Sequence, residues 1–360
     1  MRITIVAGAR PNFMKIAPII RAINTAKSQG TDITYRLIYT GLENDVNIDP
    51  TLFIDLDMKV PDGYLGIQSD NSIELAALIL MAFDKELTKN PADIVLVVDD
   101  LTPTMSCAIV AKKHGAKVAH LVAGTRSFDM DMPKEVNRMI TDGLADYLFT
   151  AGAVANRNLS QTGTEDEKIY HVGNILIDSI RYNRNRLIEP LWFSTLGLKK
   201  REYILLTLNR RALLKNKKTL KNLLLTTINA TDMPIIVPVH PYVSETITQL
   251  NIDAASFHVL PPQSYLYFTY LLNNAKAAIT DSGNIAEEAT FLGIPCITLN
   301  DYAEHPETYR IGTNVLVGES PELLKENMEI LLSRQWKTGE IPERWDGRTA
   351  ERIVQILANS

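Results

Sequence analysis

The sequence predicts an α/β protein built of two doubly wound domains. Three observations carry that prediction. Short apolar, β-rich runs alternate with segments of helical period, which is the pattern of parallel strands joined by covering helices. Runs such as Ile94-Val95-Leu96-Val97-Val98 are apolar on both faces, as strands buried from both sides must be. The alternation halts near residue 174 and restarts near 203, and a chain of 360 residues suits two domains of about 150 to 200 each.

In the first half the strands are expected at 2–7, 33–40, 93–99, 116–122, 147–150 and 168–172, with helices at 12–28, 72–90, 103–114, 134–144 and 152–162. After a segment from Asn174 to Arg201 that reads as a helix leading into a linker, strands are expected at 203–208, 234–239, 256–260, 277–280 and 294–299. Helices at 214–229, 243–250, 263–274, 284–292 and 320–334 separate or follow them. The closing segment, Arg348 to Ala358, is amphipathic and expected to return to the first domain. The domains are therefore expected at 1–175 with a C-terminal helix at about 345–360, and at 176–344.

Charge and composition remove several classes. Thirty-seven Lys and Arg against 42 Asp and Glu leave a net charge of −5, which offers no broad positive field for a nucleic-acid partner. No run approaches the roughly 18 apolar residues of a membrane span. The opening Met-Arg-Ile-Thr-Ile-Val reads as a buried strand rather than a signal peptide, so the expected location is the cytoplasm. Cys107 and Cys296 sit among apolar or small residues and are expected to be buried free thiols. Together with six histidines they show no metal-ligand spacing, so no metal is expected.

In doubly wound domains ligands lie beyond the carboxyl ends of the strands, and with two such domains the natural site is the cleft between them. Two strand ends carry chemistry. Gly8-Ala9-Arg10-Pro11-Asn12, with Lys15, combines a tight turn, a proline suited to the first helical turn and two cations, a set that fits a phosphate or diphosphate. Thr280-Asp281-Ser282-Gly283-Asn284 follows another apolar strand. Asp281 or Ser282 can cap the coming helix, while Ser282 and the amides of Gly283 and Asn284 can hold an anion. Glu288, further along that helix, can accept two hydroxyl hydrogen bonds.

These two clusters resemble the non-hydrolysing UDP-N-acetylglucosamine 2-epimerase family. The resemblance extends through Pro133-Lys134-Glu135-Val136-Asn137-Arg138, Val172-Gly173-Asn174 and Gly312-Thr313-Asn314-Val315-Leu316-Val317-Gly318, in order along nearly the whole chain. It implies a glycosyltransferase-B fold holding a UDP-sugar, with no cofactor, usually in a homodimer; a hetero-partner such as an active paralogue is the alternative. It also implies C2 epimerisation through removal of the C2 proton and loss of UDP, followed by re-addition. By the same resemblance Arg10 and Lys15 would lie near the diphosphate, Ser282 and Gly283 would bind phosphate, Glu288 the ribose, and Phe268 would lie beside the uracil. His240 matches a histidine that lines the family's cleft.

The acid-base set departs from the family pattern. Asp100 stands where the family has the Asp of a Gly-Asp-Thr turn, but Asp99 replaces the glycine. The Glu of the next motif is Val122, in His120-Leu121-Val122-Ala123-Gly124. The first Glu of a Pro-Glu-Glu motif is Lys134, leaving Glu135. The His of a Thr-x-His-Arg motif is Asn209, followed by Arg210. Asn is a dipole, Val is inert and Lys is a poor base at neutral pH, so the family mechanism is not expected to run well. His305 and Glu135 are the candidate substitutes. Two readings follow: an epimerase-like enzyme with rearranged groups, or a catalytically inactive protein that binds a nucleotide sugar.

Overall fold

The structure, a computed structural model, describes residues 1–48 and 50–359. The chain divides into two compact units, residues 1–182 with 343–360 and residues 183–342.

The first unit holds strands β1 (Arg2–Ala7), β2 (Thr34–Tyr39), β3 (Gly63–Tyr64), β4 (Ile94–Val98), β5 (Lys117–Leu121), β6 (Tyr147–Thr150) and β7 (Ile169–His171). They form one parallel sheet in the order β3-β2-β1-β4-β5-β6-β7. Strand order reverses between β1 and β4. Right-handed crossovers on either side of such a reversal place helices on opposite faces and open a crevice at the strand ends. The second unit repeats the plan with β8 (Ile204–Thr207), β9 (Ile235–Pro238), β10 (Phe257–Leu260), β11 (Ala277–Thr280), β12 (Cys296–Thr298) and β13 (Asn314–Leu316), in the order β10-β9-β8-β11-β12-β13. Its reversal lies between β8 and β11.

Burial follows the strand period. Along β8, Ile204 and Leu206 pack with Leu220, Leu224 and Val237 on one face, while Leu205 packs with Phe193, Tyr270 and Cys296 on the other. A strand buried this way must be apolar at every position, which is why the sequence shows unbroken apolar runs. Both cysteines are free and fully buried, and burial pushes their thiols up. Among the described residues no helix is long and apolar enough to cross a membrane.

The units divide seven residues later than the sequence suggests. Helix Ile175–Asn183 is tied to the first unit: Ser179 Oγ donates to the Met14 carbonyl at 2.5 Å, and the Asp178 carboxylate accepts the N–H groups of Thr349 and Ala350 at 3.1 and 2.8 Å. Those two residues open the closing helix, Thr349–Ala358, which packs on helix Arg10–Ser28. The segment read as a linker carries a further short helix, Leu191–Thr195. Strands β3 and β13 and helix Pro50–Leu56 were not expected.

Candidate functional site

In the first unit the functional candidates gather at the carboxyl ends of β1, β4 and β5. The expected strands 93–99 and 116–122 each stop one residue early, because Asp99 and Val122 take left-handed backbone conformations, with φ of +61° and +70°. For a β-branched valine that conformation is a true outlier, costing on the order of 1–3 kcal/mol.

Lys15 is not presented to solvent as a cation for a ligand's phosphate. It is buried, and its Nζ lies 2.5 Å from Asp99 Oδ1. Asn12 Nδ2 donates to Asp99 Oδ2 at 2.7 Å, and Asn12 Oδ1 accepts the N–H groups of Gly8 and Ala9 at 2.8 and 3.2 Å. Gly8 is required by close approach: a Cβ there would fall 2.9 Å from Pro103 Cβ. Arg10 opens the helix and is half-buried.

Asp100 lies between two cations. Arg138 reaches its Oδ2 through Nε at 3.0 Å and Nη2 at 2.6 Å, Lys134 Nζ lies 3.3 Å from Oδ1, and Asn137 Nδ2 donates to its main-chain carbonyl at 2.9 Å. Burial alone would raise this carboxyl; the Lys134 and Arg138 charges outweigh it and hold it below the usual carboxylate range. Glu135 accepts from Arg138 Nη1 at 3.1 Å and from the Ser127 N–H and hydroxyl, both at 2.9 Å, and against the push of burial these hold it low as well. Neither carboxyl is poised to carry a proton near neutral pH.

The same chain of charges continues inward. Arg126 lies 3.9 Å from Glu135 and 2.6 Å from Asp142. Asp142 faces His120 Nδ1 at 2.6 Å, and His120 Nε2 meets the Asp99 carbonyl oxygen at 2.8 Å. Burial depresses the imidazole, but the Asp142 charge prevails and raises it; burial raises Asp142, and His120 with Arg126 lower it below its ordinary value. Sequence reasoning missed Asp142 and Arg126. Glu135, Arg138 and Asp142 lie at helical spacing on one face of helix Pro133–Leu144, which could have flagged Asp142, whereas Arg126 sits in irregular backbone and leaves no such signal.

In the second unit the candidates gather at the ends of β8 and β11. The Asp281 carboxylate turns away from the helix Gly283–Leu292 and accepts the N–H groups of Asn209, at 3.0 and 2.8 Å, and Arg210, at 2.7 Å. Burial raises Asp281 despite these bonds. Ser282 occupies the cap position of that helix but makes no side-chain capping bond, so neither residue caps it. Ser282, Gly283 and Asn284 are half-buried at its start, and Glu288 is buried further along.

Asn209 is exposed, and its Oδ1 accepts from the Tyr242 hydroxyl, whose ring stacks on His240 at 5.9 Å. Arg210 Nη2 is held by Glu319 at 2.5 Å and by the Leu299 carbonyl at 3.2 Å. Phe268 packs at the edge of the cluster around Phe193 and Tyr270. His305 is buried, with Nε2 3.8 Å from Glu287 Oε1. No group of His, Cys, Asp and Glu among the described residues is arranged to hold a metal.

A family model described as UDP-N-acetylglucosamine 2-epimerase matches residues 25–358. The chain belongs to this family. A UDP-N-acetylglucosamine 2-epimerase of Methanocaldococcus jannaschii is 36% identical over 372 aligned positions, covering 99% of each chain. Its crystal structure in complex with UDP-GlcNAc and UDP superposes with a TM-score of 0.87 at 35% identity, over all of both chains. The Neisseria meningitidis UDP-GlcNAc 2-epimerase bound to UDP-GlcNAc gives 0.89 at 26% identity, again over both whole chains. The two parallel sheets with alternating helices are thus the glycosyltransferase-B-like fold of the epimerases. The four positions of the acid-base set read from the family resemblance are held as follows: Asp100 lies between two cations, Val122 has a strained backbone, Lys134 pairs with Asp100, and Asn209 bonds to Tyr242.

Proposed function

We propose that the protein binds a UDP-N-acetylhexosamine and does not interconvert it by the proton transfers of the epimerase family. The single observation that carries this reading is the Asp100 carboxylate held by Lys134 and Arg138. Epimerisation through elimination needs one group to take the C2 proton and another to return it from the opposite face. Each such group contributes roughly a hundredfold to ten-thousandfold to the rate, so three positions filled by Val, Lys and Asn and a fourth fixed as an ionised carboxylate remove most of the acceleration.

Nucleotide recognition is supported by what remains. Ser282, Gly283 and Asn284 stand at a helix start without a side-chain cap, where main-chain N–H groups and the helix dipole favour phosphate, and Glu288, buried further along that helix, carries the two acceptor oxygens a diol takes. Arg10 and His240 complete the binding set. Calorimetric titration with UDP, UDP-GlcNAc and UDP-ManNAc tests the reading together with deuterium exchange at C2 in heavy water. Binding without exchange is expected; exchange at a rate normal for an enzyme would overturn it.

A second reading, turnover by rearranged groups, rests on the buried His305 beside Glu287. It requires C2 exchange in the wild type that His305→Gln abolishes.

The partner we propose is a second copy of the chain. Helix Pro133–Leu144 exposes Val136, Met139 and Ile140, and helix Ser72–Lys89 exposes Ile73, Leu78 and Met81; both helices flank Thr102–Lys113 on one side of the first sheet. Apolar stripes of this kind on adjoining helices mark an interface.

A further inference from the structure

The position at the ends of β1 and β4 that would take a ligand's anion already holds one from the chain. Asp99 lies in front of Lys15: its side chain keeps 17% of its exposure and that of Lys15 only 6%, with 2.5 Å between carboxylate and ammonium. The second carboxylate oxygen receives Asn12 Nδ2 at 2.7 Å, and Asn12 Oδ1 takes the N–H groups of Gly8 and Ala9, the donors the turn would otherwise present. The left-handed backbone at Asp99, φ +61°, directs this side chain into the turn and is a conformation that glycine adopts without cost.

We propose that Asp99 is a specificity-determining residue, a built-in counter-ion that occupies the phosphate position beside Lys15 and Asn12. Lys15 and Asn12 are then closed to a ligand's phosphate, whose recognition falls to other groups, those of the second unit among them. A carboxylate and a phosphate oxygen make the same charge-assisted bonds to lysine and to amide donors, so one excludes the other. A second anion brought to this turn would face Asp99 across a few ångströms in a partly buried setting, where like charges repel strongly. The role of the second unit rests on the nucleotide-sugar reading above; the blocked anion position does not.

The test titrates the wild type, Asp99→Gly, Asp99→Asn and the double variant Asp99→Gly/Lys15→Met with inorganic pyrophosphate and with UDP at low salt. Asp99→Gly is expected to tighten pyrophosphate binding roughly tenfold to a hundredfold, as one or two charge-assisted bonds become available. Asp99→Asn, which keeps the shape and loses the charge, is expected to tighten it less, and the double variant to lose the gain. Added salt should shrink the gain. An unchanged pyrophosphate affinity in folded Asp99→Gly overturns the proposal; should that variant fail to fold, Asp99→Asn decides in the same way. The UDP titration separates the two ideas. If none of the four proteins binds UDP, the nucleotide-sugar reading fails while pyrophosphate still judges Asp99; if the wild type binds UDP and Asp99→Gly gains nothing for either anion, only the Asp99 role fails.

Discussion

Removing Arg138 is the most informative single perturbation of the first unit's charge chain. Its guanidinium makes two bonds to Asp100 and one to Glu135, and its side chain is 3% exposed. In Arg138→Met the length is kept and the charge removed, which leaves Asp100 with the largely exposed Lys134 and Glu135 with the more distant Arg126. Breaking a buried ion pair from one side costs about 3–5 kcal/mol, because the remaining charge stays desolvated. The sign of the pH dependence follows from the two carboxyls, both held below their ordinary values in the folded protein. Groups of that kind contribute stability that is present above the unfolded pKa, about 4, and is lost as pH falls through the folded one. Arg138→Met forfeits that contribution, so its deficit against wild type should be full at neutral pH and narrow as the pH falls below about 4. Urea unfolding of both proteins at about pH 7, 4.5 and 3 measures it. A deficit below about 1 kcal/mol at pH 7, or one that grows on acidification, would show that Arg138 does not hold these acids and would return Asp100 to the list of free proton carriers.

Three more outcomes are expected. Val122→Gly should raise the unfolding free energy by about 1 kcal/mol, the left-handed strain relieved outweighing the added entropy of the unfolded chain, and a loss in denaturant titration would contradict the strain at φ +70°. Asp178, raised to about 6 by burial despite its bonds to Thr349 and Ala350, should lower stability by about 2 kcal/mol as pH rises from 4 to 7, since the folded form binds the proton more tightly there; Asp178→Asn should flatten that limb of the curve, and a parallel curve would refute it. Met139→Glu with Ile140→Lys should convert a dimer to a monomer in light scattering with the fold unchanged by circular dichroism; an unaltered mass would place any interface elsewhere.

The architecture was legible because doubly covered strands leave unbroken apolar runs, as at Ile94–Val98, and the helices between them keep their period. What escaped was too short to show a period: the two residues of β3, the three of β13 and the seven of helix Pro50–Leu56. The strand-end motifs marked where the candidate residues lie, but not what they bond. Lys15 and Asp99 are 84 positions apart, and Asp100 and Arg138 are 38 apart, so their pairing depends on β1, β4 and the helix after β5 coming together. Asp281 illustrates the same limit. Its place before a helix suggested a cap, and only the closure of β8 beside β11 shows that its carboxylate serves the Asn209-Arg210 turn instead.

The departures at 99 and 134 bear on whether the site decayed or was rebuilt. By the resemblance read in the sequence, Asp99 stands at a glycine position of the family motif and Lys134 at an acid position. Left alone in its half-buried place the Asp99 charge would be costly, whereas the exposed Lys134 would not be. Neither is alone: Asp99 lies against Lys15, and Lys134 against Asp100. A site drifting without selection has no reason to seat each new charge beside an opposite one, whereas a site refitted to bind without proton transfer does. The two accounts differ in coupling. A double-mutant cycle between Asp99 and Lys15, read in both stability and pyrophosphate affinity, should show the two residues strongly non-additive in each, since they share one close charge contact. Coupling in stability alone would mean that the pair serves only the fold.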